Sequence, residues 1–221
     1  MKQWIDISFP YYDGMAIYPG NPTYQREVIQ DVSWGDSATV SRIVMGTHTG
    51  THIDAPLHVF ADGKSVDQIP LERMNGCARL LDLRGVGQIE VAQLKDAKLC
   101  ADDIVLLKTN NTERFQGIHV LSDYTTLTYD AAEYLVATGI KLVGIDYMTI
   151  ERPRGKRIEG KSIHRILLGA GIVIAEGLNL RDVDVGVFEM NCFPLELQGA
   201  DGAPARMILY SRCGLRGLGF E

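Results

Sequence analysis

His48-Thr-Gly-Thr-His52-Ile-Asp54-Ala-Pro56-Leu-His58 is the stretch on which the reading of this chain turns. It holds three of the five histidines, together with an aspartate, and all four sit at even positions. An extended chain would turn them to one side. A straight strand cannot let them share a ligand, because His48 to Asp54 at about 3.3 Å per residue spans roughly 20 Å. A helix would bring His48 and His52 together, but Thr, Ile, Gly50 and Pro56 oppose one. What remains is a curled segment bent near Gly50, a residue that accepts backbone angles others avoid. Such a curl folds His48 back beside His52 and Asp54. A lone histidine is ordinarily a surface or satisfied core residue; His, His, Asp and His on one parity, broken by Gly and Pro, point to a metal or catalytic site.

The 221 residues suit one α/β domain over 1–221, and 46% hydrophobic content is ordinary for a globular core. A net charge of −6, with no Lys/Arg run, argues against a nucleic-acid partner. No stretch of eighteen apolar residues is present and the N-terminus lacks a signal-peptide core, so no membrane span is expected. Cys77, Cys100, Cys192 and Cys213 are widely spaced with no Cys-x-x-Cys pair, which fits a reduced, cytoplasmic protein.

Outward from the motif, short strands are expected at Trp4–Ser8, Tyr24–Ile29 and Ala38–Met45, the last leading into His48. Between the first two lies an aromatic Gly/Pro loop, Phe9 to Pro22, read as a plug over the core or a wall for a flat ligand. Ser65 would cap a helix to Arg73, Val91–Ala97 forms another, and Thr128 caps a third to Thr138 with Gly139 beyond its end. Strands follow at Arg79–Leu83, Asp103–Lys108, Lys141–Asp146, Ile172–Ala175, Val185–Met190 and Ala205–Ser211. Asn110–Thr126 reads as an excursion, Glu151–Gly160 as a charged, solvated loop, and His119 as exposed. Strands outnumber short helices, which implies one mixed sheet. Asp146 either lies beside the site or caps a turn, and Arg206 makes either an ion pair or an interface contact.

Geometry also brings one distant pair together. A helix over Lys161–Leu168 carries His164, and the chain turns at Gly169 and Gly171. About 13 Å of strand then returns Glu176 towards His164.

The pattern His48-x-Gly-Thr-His52-x-Asp54-x-Pro56-x-His58 resembles the signature of the cyclase family, which includes bacterial-type kynurenine formamidases and isatin hydrolases. The likeness extends to Asp6-Ile-Ser8, Pro19-Gly20, Val143-Gly-Ile-Asp146, Glu176-Gly-Leu-Asn-Leu180 and Gly199 to Arg206. The resemblance implies a swivelling β/β/α-like fold, a homodimer or homotetramer, and two divalent metals, usually zinc, with manganese in some relatives. By resemblance His48, His52 and Asp54 bind the first metal, Asp54 and His164 the second, and Glu176 bridges them.

By the same resemblance His58 is the acid/base and the substrate a small molecule. The implied reaction is arylformamidase hydrolysis: N-formyl-L-kynurenine and water give L-kynurenine and formate. Metals with such ligands draw the pKa of bound water towards neutrality, and an imidazole titrates in the same range. Tyr18 stands where the family's formamidases carry a substrate-facing tryptophan; it keeps an aromatic face and adds a hydroxyl. Two other readings fit the same residues. One is an isatin hydrolase-like or other small cyclic-amide hydrolase; the other is a binding module merely stapled by metal.

Overall fold

Alternation along the strands sorts the apolar residues of this chain onto two faces, and that sorting builds the architecture. The computed structural model describes residues 4–152 and 162–210. In chain order its elements are β1 (Trp4–Asp6), β2 (Gln25–Gln30), β3 (Val40–Val44), β4 (His52–Asp54), β5 (Gly76–Asp82), α1 (Val91–Lys95), β6 (Ile104–Lys108) and α2 (Asn111–Phe115). Then come α3 (Tyr129–Thr138), β7 (Leu142–Ile145), α4 (Ile163–Gly169), β8 (Val173–Glu176), β9 (Gly186–Pro194) and β10 (Gly202–Tyr210). Among the described residues, strands β2 and β3 pair only with each other, as a separate ribbon.

The remaining strands form one mixed sheet in the order β1-β10-β4-β8-β7-β6-β5-β9, and β9 pairs back onto β10. Seven strands therefore close into a barrel, with β1 laid on the outer part of β10. Strands β5 to β8 run parallel, and the others pair antiparallel. Parallel neighbours need long crossovers, and α1 to α4 lie in them. Ile104, Leu106, Leu142, Val173 and Ala175 fill the barrel with Ile53, Met190 and Met207. Their alternates Val105, Leu107, Val143, Ile145 and Ile174 face outward, under Leu94, Leu135 and Leu167 of the helices. Strands β6 to β8 bury both faces, as runs such as Ile104-Val105-Leu106-Leu107 require.

Several elements differ from the sequence-based expectation. The helix from Ser65 to Arg73 is two 3-10 turns, Val66–Gln68 and Leu71–Arg73, because Pro70 interrupts the hydrogen-bond ladder. The excursion after Asn110 contains α2, too short to show a period. β10 starts at Gly202, inside what reads as a Gly/Pro loop; Pro204 sits opposite His52, and Ala205 supplies the N–H to Thr51. Of the loop Glu151–Gly160, residues 153–160 lie outside the described part, as do Lys161, Ser211 and Cys213. His119 is exposed, and Arg206 forms an ion pair with Asp6.

Asp146, at the end of β7, does not reach the histidines. Its carboxylate accepts from Thr109 N and Oγ1 and from Thr112 N and Oγ1, tying the ends of β6 and β7 to α2. The group is fully buried. Stranding buried donors costs about 1–3 kcal/mol each, so Asp146→Ala should lower unfolding stability by roughly 3 kcal/mol in urea titration.

Candidate functional site

Two adjacent strands and one helix end supply the cluster. His52 on β4 lies directly across from Glu176 on β8, and Asp54 shares His52's face two residues on. That face points away from the barrel interior, since Asp54 pairs with Ile174 beneath the helices. From that side α4 brings His164, in its first turn, down onto the carboxylates.

The motif's bend is where the spacing puts it. Gly50 has φ +62°, and His48 folds back so that its Nδ1 lies 2.7 Å from Asp54 Oδ1. Gly177, with φ +67°, follows Glu176, and a Cβ built there would stand 2.2 Å from the Gly50 carbonyl oxygen. Backbone meets backbone at this point, which only glycine permits. Thr51 locks the contact: its hydroxyl donates to Gly177 O and accepts from Phe9 N–H.

Each of the three imidazoles near the carboxylates has one nitrogen held from outside. His52 Nδ1 lies 2.9 Å from Gly50 O, so that nitrogen donates a proton and Nε2 is the one left to take either a proton or a cation. His164 Nδ1 lies 3.1 Å from Glu151 Oε2, and His48 Nε2 lies 2.9 Å from Asp201 Oδ2. The other nitrogens converge. His52 Nε2 is 3.4 Å from Asp54 Oδ1 and 3.6 Å from Glu176 Oε2. His164 Nε2 is 3.2 Å from Glu176 Oε1 and 3.6 Å from Asp54 Oδ2.

Two overlapping donor sets result: His52, Asp54 and Glu176, and His48, Asp54 and His58. His58 thus stands among the donors as well as beside them. Its ring centroid is 4.2 Å from that of His48 and 5.6 Å from that of His164, and its Nδ1 lies 3.8 Å from Asp201 Oδ2.

A cation fits these residues on a test internal to the structure. Among the described residues, His52 Nε2 and Asp54 Oδ2 are buried without a hydrogen-bond partner. Both are acceptors facing a shared centre, an arrangement that is costly unless positive charge lies between them. Imidazole and carboxylate donors without thiolate suit Zn or Mn. The titration behaviour agrees. Burial disfavours charged His52, yet the Asp54 and Glu176 carboxylates override it and push its pKa up to about 10. His164 and His48 are raised against the same burial cost, mainly by Glu151 and Glu176 for His164 and by Asp54 for His48. Asp54 is held well below its usual value, burial notwithstanding, by His48 and His52. His58 goes the other way: burial, helped by the fields of His48 and His164, lowers its pKa and keeps it neutral at pH 7.

Tyr18 borders the cluster. Burial first, then the charges of Glu176 and Glu151, raise its phenol pKa, so the hydroxyl stays protonated as a donor. It packs on a group containing Phe9, Phe115, Tyr124 and Tyr147. The aromatic loop plugs the core in part, with Phe9 buried and Tyr18 half-exposed. Glu151 and Asp201 were not singled out by the sequence reading. Asp201 lies within the Gly199 to Arg206 block, and Glu151 reads there as part of a solvated loop. In the structure Glu151 is largely buried against His164. For Glu151 the available signal was position, since loops at the ends of parallel β-strands gather polar groups.

Residues 5–152 match the family described as "Putative cyclase". Kynurenine formamidase of Bacillus cytotoxicus is 32% identical over 211 residues, covering 94% of this chain and 97% of its own. A solved structure from Bacillus stearothermophilus, described as a "predicted metal-dependent hydrolase", is 37% identical. It superposes with a TM-score of 0.83 over 96% of this chain and all of its own. Isatin hydrolase A from Labrenzia aggregata shares the fold, with a TM-score of 0.82 at 21% identity over 95% and 93% of the two chains. With its motif curled at Gly50 and its matching region running from β1 past β7, the chain belongs to this cyclase family.

Proposed function

We propose that the protein is a metal-dependent hydrolase of non-peptide C–N bonds, with N-formyl-L-kynurenine as substrate and L-kynurenine and formate as products. The observation carrying the metal reading is the buried pair His52 Nε2 and Asp54 Oδ2, which has no hydrogen-bond partner among the described residues. The substrate reading rests on relatives named kynurenine formamidase that align along nearly the whole chain.

His48, His52, Asp54, His164 and Glu176 would hold one or two divalent ions, zinc or manganese. Such an ion, when bound, lowers the pKa of water and polarises a carbonyl. His58 contributes the proton transfers. Its Nδ1 faces Asp201, which leaves Nε2 to take a proton from the attacking water and return it to the departing aryl nitrogen. A new C–O bond forms as the formyl C–N bond breaks. Tyr18 offers a ring face for the aryl group and a hydroxyl to donate.

His58→Ala should retain cation while formate release falls about 10²–10⁴-fold. An unchanged rate would favour a metal-stapled binding module. Cation-loaded protein that releases no formate, yet opens isatin or a similar cyclic amide, would move the assignment to that substrate class.

A second prediction follows from protons standing in for the ion. His52, His48 and His164 have folded-state pKa values above their unfolded value near 6.5, so their contribution is fully present below that pH. It is lost as pH climbs through the folded values, about 10 for His52. Chelator-treated protein should therefore lose stability in urea titrations between about pH 6.5 and 10. Added zinc should remove most of that slope.

A further inference from the structure

The structure assigns to Glu151 the role of a positioning residue: its carboxylate fixes the ring of His164 so that Nε2 is presented to Asp54 and Glu176. The inference rests on the reading of those residues as a cation cage. His164 is the imidazole that most needs such help. His52 sits on the doubly paired β4 and His48 on the turn that leads into it, whereas His164 arrives on α4 from another part of the chain.

Glu151 Oε2 accepts from three donors at once: Ile163 N–H at 2.8 Å, His164 N–H at 3.4 Å and His164 Nδ1 at 3.1 Å. The two backbone bonds hold the first turn of α4, and the ring bond sets the rotation and tautomer of the imidazole. With Nδ1–H committed to Glu151, Nε2 is the nitrogen turned to Glu176 Oε1, 3.2 Å away, and it offers its lone pair once a cation replaces the proton there. Glu176 is steadied in turn from the same segment, because Ile150 N–H donates to its Oε1 at 2.7 Å. Consecutive residues thus hold both donors of this half of the cage. An outer carboxylate of this kind also makes the imidazole a stronger ligand, and its loss typically weakens metal binding 10–100-fold.

Two roles of Glu151 must be separated, holding the helix start and aiming the ring. Ser162 supplies the control, since its hydroxyl accepts from Arg165 N–H and caps the same turn without touching the imidazole. Zinc affinity would be measured by chelator competition for wild type, Glu151→Gln, Glu151→Asp and Ser162→Ala, alongside the thermal midpoint of each zinc-free protein. The expected result is zinc binding 10–100-fold weaker in Glu151→Gln, partly restored in Glu151→Asp, and unchanged in Ser162→Ala even where its midpoint falls. Wild-type affinity in Glu151→Gln overturns the inference, as does an equal loss in Ser162→Ala, which would reduce Glu151 to a helix cap. Should Glu151→Gln fail to fold, Glu151→Asp against Ser162→Ala decides by the same criterion. Wild-type protein that takes up no zinc brings down the cage itself, an outcome distinct from either.

Discussion

Two carboxylates buried side by side, Asp54 and Glu176, are the constraint around which this protein is arranged. At 0% and 3% exposure neither can be satisfied by bulk water, and like charges so placed repel. Their position is no accident of side-chain rotation, because β4 and β8 hold them by main-chain pairing. Imidazoles are therefore brought in from three directions, each with its outer nitrogen occupied so that its inner one faces the acids. Positive charge, whether protons or a divalent ion, completes the balance. The barrel, the outer helices and the glycine contact at Gly50 and Gly177 all serve to keep these groups within one ion's reach.

How much of this was written in the sequence depends on the range over which each feature is determined. The motif's curl was legible because local rules decide it: period-two parity, a reach limit and a glycine. The parallel strands were legible as unbroken apolar runs such as Ile104 to Leu107. The return of Glu176 towards His164 followed from counting rises along a helix and a strand. Barrel closure was not legible, since the pairing of β9 with β10 joins residues whose patterns say nothing about their partners. Pro70 and Pro204 were misleading in opposite senses, one breaking a helix that composition allowed and the other entering a strand that composition denied.

Glu151 and Asp201 show a further limit. A charged residue in a loop carries the same local signature whether it faces water or the back of a buried imidazole. Only tertiary placement separates the two, and here it puts Glu151 against His164 and Asp201 against His48. His58 differs from the other imidazoles for a related reason. It follows Pro56 in a 3-10 turn beyond the strand, close enough to sense the cluster but outside the reach of Glu151 and Glu176 hydrogen bonds. Environment alone divides identical side chains into neutral and charged populations.

The closed ring has a consequence for exchange with solvent. Because β4 and β8 are each paired on both sides, neither can fray from an edge, so their amide protons should become labile only when the barrel opens as a whole. The β2–β3 ribbon, with Ile43 and the adjoining Trp34 exposed, has no such protection and should trade its protons for deuterons early. In this molecule the slowest clock runs beneath the donors, and the fastest on the ribbon that stands clear of them.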